Sequence, residues 1–150
     1  MMKTALITGA NRGIGLALTQ EYLAQGWHVI GVCRTISTEL SATDAQVIAD
    51  IDVTNPIAVE ALASKLNGVR IDLLINNAGI LESDRLGDID YNHVTRQFLV
   101  NAQAPLHVTE VLLEYLTKNA TIAFITSRMG SIADNTSGGY YGYRMSKAAL

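Results

Sequence analysis

The segment Thr8-Gly9-Ala10-Asn11-Arg12-Gly13-Ile14-Gly15 narrows the folds open to this chain more than any other stretch. It begins at the last residue of Thr4-Ala5-Leu6-Ile7-Thr8, a run of strand length, and leads into Ile14, Leu18, Tyr22 and Leu23, which share one face at helical spacing. A strand, a three-glycine turn and a helix this near the chain start match the opening of a dinucleotide-binding βαβ unit. In that reading Gly9 permits the tight turn, Gly13 lets the backbone approach a pyrophosphate, and Gly15 lets helix and strand pack closely. The helix N-terminus then offers free N–H groups and a positive dipole end to the phosphates. The plainer alternative is an ordinary strand-to-helix turn that favours glycine.

The rest of the chain repeats the alternation. Apolar runs of strand length recur at Trp27–Cys33, Gln46–Ile51, Ile71–Asn76 and Thr121–Thr126. Their Ile, Val and Leu content suits parallel strands covered on both faces. Between them, Val59, Leu62, Ala63 and Leu66 form a helical face after Asn55-Pro56, a cap followed by proline at the first helical position. Val94, Phe98, Ala102 and Leu106 predict a longer helix running to Leu116, kinked near Pro105. A last helix is expected from Tyr141 to Leu150. The fold class is therefore α/β, a doubly wound parallel sheet with right-handed crossovers.

Composition limits the alternatives. The 150 residues are 49% hydrophobic and 17% charged, with a net charge of −3, enough for one globular domain and unlike a disordered chain. The mildly acidic balance offers no footprint for nucleic acid or an anionic membrane. Cys33 is the single cysteine, so no internal disulfide can form, and the N-terminal apolar run is too short for a signal peptide. A cytoplasmic location is expected. His28, His93 and His107 are scattered without metal-ligand spacing, so no metal site is expected. The last helix stops at Leu150 after about three turns, and the fifth strand would be a bare apolar edge. The expectation is a C-terminally incomplete domain over residues 1–150.

Cofactor type is legible at the end of the second strand. An acidic residue there suits a free ribose 2′-hydroxyl, whereas arginine suits a 2′-phosphate. The sequence has Arg34 there and Arg12 in the glycine loop. Guanidinium forks match phosphate geometry, so NADP is expected over NAD. Either arginine could instead be a solvated surface residue.

Read together, these residues resemble the short-chain dehydrogenase/reductase family. Its motifs occur in order: the Thr8–Gly15 loop, Asp52-Val53, Asn76-Asn77-Ala78-Gly79, Asn101, Ser127, and Tyr143-Arg144-Met145-Ser146-Lys147. The stretch from Ser127 to Gly139 is similar to the sniffer and C-factor branch, whose members are carbonyl reductases or cell-signalling proteins. The resemblance implies a Rossmann-type sheet of strand order 3-2-1-4-5, with further strands and a substrate-binding loop after Leu150. It implies a cofactor site of Gly9, Asn11, Arg12, Gly13, Ile14, Gly15, Arg34, Asp52, Val53, Asn77, Ala78, Gly79, Tyr143 and Lys147. Within it Asp52 meets the adenine, and Asn76 to Gly79 border the cofactor and steady the central strand. It implies catalysis by Asn101, Ser127, Tyr143 and Lys147, a small carbonyl or secondary alcohol as substrate, and a homo-oligomer, dimer or tetramer.

The chemistry fits the residue types. An ordinary phenol, with a pKa of about 10, is a slow proton shuttle at neutral pH. Tyr143 and Lys147 are four residues apart and share a helical face. An ammonium so placed favours phenolate, suiting Tyr143 as general acid in reduction and base in reverse. Ser127 would hydrogen-bond the substrate oxygen as charge develops on it. Asn101, by resemblance, would hold a water linking Lys147 to solvent. Spacing alone leaves rivals: Tyr140 has Arg144 four residues on, and Ser131 competes with Ser127, which lies 16 residues before Tyr143. That gap is longer than in many members of the family. The expected function is NADP-dependent carbonyl or alcohol oxidoreduction. The alternatives are a nucleotide-binding signalling or regulatory module, or an inactive fragment.

Overall fold

A computed structural model describes residues 2–150. Five parallel strands form one sheet in the order β3-β2-β1-β4-β5. They are β1 (Thr4–Thr8), β2 (His28–Val32), β3 (Gln46–Ile48), β4 (Ile71–Asn76) and β5 (Leu116–Phe124). The crossovers carry α1 (Gly13–Ala24), a short α2 (Thr38–Ser41) and α3 (Pro56–Ser64). After β4 come α4 (Tyr91–Phe98), a π-helical segment Leu99–Gln103, and α5 (Ala104–Leu112). A 3₁₀ turn, Arg128–Gly130, and α6 (Tyr141–Ala149) follow β5. The strand order and fold class are those expected.

The strand pattern explains the two-layer core. In β1 all five residues are buried, and successive side chains enter opposite layers. Leu6, Ile30 and Leu74 pack with Val59 and Leu62 of α3, Leu66 just after it, and Val108 and Leu112 of α5. On the other face Ala5, Ile7, Val29 and Ile75 pack with Leu40 of α2 and with Leu16, Leu18, Tyr22 and Leu23 of α1. Asn55 caps α3, its Oδ1 accepting from the Ile57 amide at 3.0 Å.

Three local expectations are corrected. The long helix stops short of Leu116, because β5 begins there. The Arg70 guanidinium donates to the Glu114 and Leu116 carbonyls, and the Thr117 hydroxyl donates to Asp72. These bonds draw the chain into the sheet three residues out of register with the pairing that resumes at Thr121. The break near Pro105 is a π segment ahead of the proline, which sits in the first turn of α5. Proline has no N–H to return to the carbonyl four residues earlier, at Asn101. Finally, the buried stripe is Gln97, Asn101, Ala104, Val108 and Leu112, while Leu106 is exposed. Two polar residues lie inside, and an apolar-period reading puts them outside.

Candidate active site

The glycine loop is fixed by contacts that glycine alone permits. Gly9 and Gly13 take left-handed backbone angles, φ +67° and +54°. A Cβ on Gly15 would overlap the Gly9 carbonyl oxygen and lie 2.5 Å from Asn77 Nδ2. That asparagine reaches back from the end of β4, its Nδ2 donating to the carbonyls of Thr8 (2.9 Å) and Gly9 (3.2 Å). Thr8 Oγ1 in turn accepts from the Asn77 and Ala78 amides, each at 3.1 Å. Asn11 Nδ2 donates to the Thr35 carbonyl at 3.0 Å and ties the loop to the turn after β2. Arg12, in extended backbone, precedes α1 without a capping side chain. The first N–H groups of a three-turn helix therefore have no capping side chain and face outward from the fold's own hydrogen bonding.

These elements open a crevice of about 950 Å³ at the carboxyl ends of β1, β2 and β4, the place where open α/β sheets bind ligands. Gly9, Asn11, Arg12, Gly13, Ile14, Arg34, Asp52, Val53, Asn77, Ala78 and Gly79 all line it. Gly15 does not; it is buried beneath Gly9 and shapes the loop from below. Ile80 and Arg96 line the crevice as well and escaped the sequence reading. Nothing in the local pattern of α4 tells that Arg96 faces back across the sheet end. Asp52 Oδ1 accepts from the Thr54 amide (2.9 Å) and hydroxyl (2.7 Å). Partial burial alone would raise the Asp52 pKa. The two Thr54 bonds and the charges of Arg34 and Arg96 outweigh it, and the net shift is downward.

Of the remaining expected site residues, Asn101 and Lys147 approach Gly79; Tyr143 and Lys147, expected at the cofactor, do not line the crevice, and neither do Asn101 and Ser127. Asn101 is fully buried in the π segment. Its Oδ1 accepts from the Ile80 amide and its Nδ2 donates to the Ile80 carbonyl, both at 2.8 Å. The other Nδ2 proton goes to Ser146 Oγ at 3.0 Å. Both amide protons of Asn101 are thus spent on fastening the Asn77–Ile80 turn to α6. A Cβ built on Gly79 would lie 3.2 Å from Asn101 Oδ1 and 3.6 Å from Lys147 Nζ, so this glycine lets the crevice floor meet the lysine.

Lys147 is 7% exposed, and its Nζ donates to the Ile125 carbonyl at 2.7 Å. Burial pulls its pKa below the ordinary 10.5. The ammonium lies 6.0 Å from the centroid of the half-buried Tyr143 ring. Ser127 follows β5 and caps the 3₁₀ turn, its Oγ accepting from the Met129 amide at 3.1 Å. That turn sits directly on α6: a Cβ on Gly130 would come within 2.7 Å of the Lys147 carbonyl group. The rivals are placed elsewhere. Ser131 is exposed, and Arg144 turns its guanidinium toward the 129–139 loop.

A cap invisible to local reading starts α6. Tyr140 precedes it in a left-handed conformation, φ 53°, and offers no capping side chain. Asp84 supplies the cap from far back in the chain. Its carboxylate accepts from the Tyr141 (2.6 Å) and Gly142 (2.9 Å) amides.

A family model described as short chain dehydrogenase matches residues 3–150. The chain belongs to that family. Among curated proteins it is similar to 1-hydroxy-2-glutathionyl-2-methyl-3-butene dehydrogenase of Rhodococcus sp. (strain AD45), 39% identical over 99% of this chain and 66% of that protein. C-signal of Myxococcus xanthus is 48% identical over 61% of this chain and 57% of that protein. The chain therefore spans less than two thirds of the length of these curated relatives. Among solved structures, a short-chain dehydrogenase/reductase of Burkholderia multivorans with bound NADP superimposes with a TM-score of 0.91 at 34% identity. It is covered over 69% of its length, and this chain over 100%. Carbonyl reductase Sniffer of D. melanogaster gives 0.88 at 30% identity, covering 100% of this chain and 71% of that one. The likeness to the sniffer and C-factor branch is borne out by these matches.

Proposed function

We propose that this sequence is the cofactor-binding and catalytic part of an NADP-dependent short-chain oxidoreductase acting on a carbonyl or secondary alcohol. The observation that carries the reading is the junction at Gly79, where the crevice lined by the glycine loop meets buried Asn101 and Lys147. The residues fit a phosphorylated dinucleotide. The uncapped start of α1 and the positive-φ Gly13, which has open space where a side chain would be, suit a pyrophosphate. Arg12 and Arg34 line the same crevice and suit a 2′-phosphate, while Asp52 and Val53 would border the adenine. The neighbour from Burkholderia multivorans that holds NADP supports this choice. Among the described residues no group of His, Cys, Asp or Glu could hold a metal ion, and no helix is long and apolar enough to cross a membrane.

NADPH, when bound, supplies the hydride. The chain's own residues handle the proton. Tyr143 Oη donates to the substrate oxygen during reduction and takes the proton back in oxidation. The negative charge this leaves on Tyr143 Oη is favoured by the Lys147 ammonium, which lies near the ring. Ser127 Oγ, on the turn seated against α6, would donate to the substrate oxygen as its charge grows. Asn101 acts by position: it binds Ile80 on one side and Ser146 on the other, and Ser146 Oγ donates to the Tyr143 carbonyl at 2.8 Å. In this reading the enzyme works in the cytoplasm as a homo-oligomer.

The test is Tyr143→Phe in the full-length protein. Turnover of a carbonyl panel with NADPH should fall at least about a hundredfold, the usual worth of a general acid, while the protein still binds NADPH. Undiminished turnover defeats the assignment. The match to C-signal favours one second reading, a nucleotide-binding signalling module. Tight NADPH binding with no hydride transfer to any carbonyl would support it.

A further inference from the structure

The segment between the Ser127 turn and α6 has neither strand nor helix of its own. Residues 131–140 run as bends and turns, with Gly138 (φ 61°), Gly139 (φ 63°) and Tyr140 (φ 53°) in consecutive left-handed conformations. Such a segment has little backbone pairing to hold it. Yet its ends carry two groups whose relative position matters for the proposed reaction, Ser127 and Tyr143.

One side chain gathers this loop. Arg144 Nε donates to the Gly139 carbonyl at 3.1 Å. Its Nη1 donates to the Asp134 carbonyl at 2.7 Å and reaches the Met129 carbonyl at 3.5 Å. Its Nη2 donates to Ser137 Oγ at 3.0 Å. The acceptors come from the 3₁₀ turn, the middle of the loop and its last glycines, and they meet on one half-buried guanidinium next to Tyr143. A second tie closes the loop on itself, Arg128 Nε to the Asp134 carboxylate at 2.9 Å. Only a planar fork with five donors can span acceptors spread this way; a lysine offers a single point charge.

We propose that Arg144 is a positioning residue: it clamps the 129–139 loop onto α6 and thereby sets Ser127 against Tyr143. The inference rests on the proposed oxidoreductase reading. It adds that the loop is held by the residue beside the catalytic tyrosine, so that Ser127 and Tyr143 share one anchor. Neither Arg144 nor any of its acceptors lines the crevice, so the clamp should leave cofactor binding alone.

The experiment uses the full-length protein with Arg144→Met and Arg144→Ala, alongside Tyr143→Phe. Both Arg144 variants should bind NADPH with wild-type affinity. Their kcat/KM for the carbonyl substrate should drop by about ten- to a hundredfold, since misplacement of order 1 Å costs that much. Free guanidinium should restore part of the activity of Arg144→Ala and none of that of Tyr143→Phe. Independently of activity, limited trypsin digestion should cleave after Arg128 at least tenfold faster in Arg144→Met than in wild type, with the global melting temperature nearly unchanged. Wild-type kcat/KM, or wild-type cleavage at Arg128, in a folded Arg144→Met overturns the clamp. If Tyr143→Phe keeps full activity, the underlying oxidoreductase reading fails instead, and the trypsin result still decides whether the clamp exists.

Discussion

Gly15→Ala tests the packing that shapes the cofactor crevice. The added methyl would overlap the Gly9 carbonyl oxygen and stand 2.8 Å from the Gly9 carbonyl carbon. Ordinary carbon contacts lie at about 3.5–4.0 Å, so the start of α1 must withdraw from the loop by roughly 1 Å. Overpacking of that kind costs about 1–3 kcal/mol. The same methyl would sit 2.5 Å from Asn77 Nδ2 and displace the amide from its bonds to Thr8 and Gly9, each worth about 1 kcal/mol. The total is about 3–5 kcal/mol, a drop in Tm of roughly 6–20 °C for a chain of this size. Because the loop that moves carries the phosphate-facing amides, NADPH affinity should fall at least about tenfold, equal to 1.4 kcal/mol. Circular-dichroism melting and fluorescence titration with NADPH read the two effects. Gly13→Ala is the control. It meets nothing within 4 Å, but its φ of +54° costs an alanine about 1–2 kcal/mol. A Gly15→Ala protein that melts within about 2 °C of wild type and binds NADPH normally would refute the account of how this loop is built.

Two further predictions concern the rim of the crevice. Arg34→Ala should weaken NADPH binding by about ten- to a hundredfold, the worth of a charge-assisted bond, and leave NADH binding nearly unchanged; equal losses for both would remove Arg34 from 2′-phosphate recognition. Asp52 has a pKa held below its ordinary 3.8, so its ionised form stabilises the fold above that value, and the contribution is lost as pH falls through the lowered pKa. Asp52→Asn should therefore melt lower than wild type at pH 7, with the difference closing as pH drops below 3.8. A gap that persists in acid would point to packing rather than charge.

The sequence alone determined the α/β class, the boundaries of β1 and β4, and most of the stretches that line the crevice. These features rest on short-range rules: apolar runs of strand length, a glycine turn before a helix, and a proline after a capping asparagine. What only the tertiary structure decided lies where partners come from far along the chain. Asp84 caps a helix that begins at Tyr141, and Arg96 faces the crevice from α4. Gln97 and Asn101 are buried on a face where the apolar period points elsewhere; Asn101 finds backbone partners at Ile80 that substitute for water, and Gln97 Oε1 accepts from the Glu82 amide at 3.0 Å. Arg144 has the right spacing to serve Tyr140, yet its guanidinium goes to four acceptors in the preceding loop. A hydrogen-bonding group buried in a fold takes whichever partner the packed backbone brings within reach, and linear spacing carries no record of that choice.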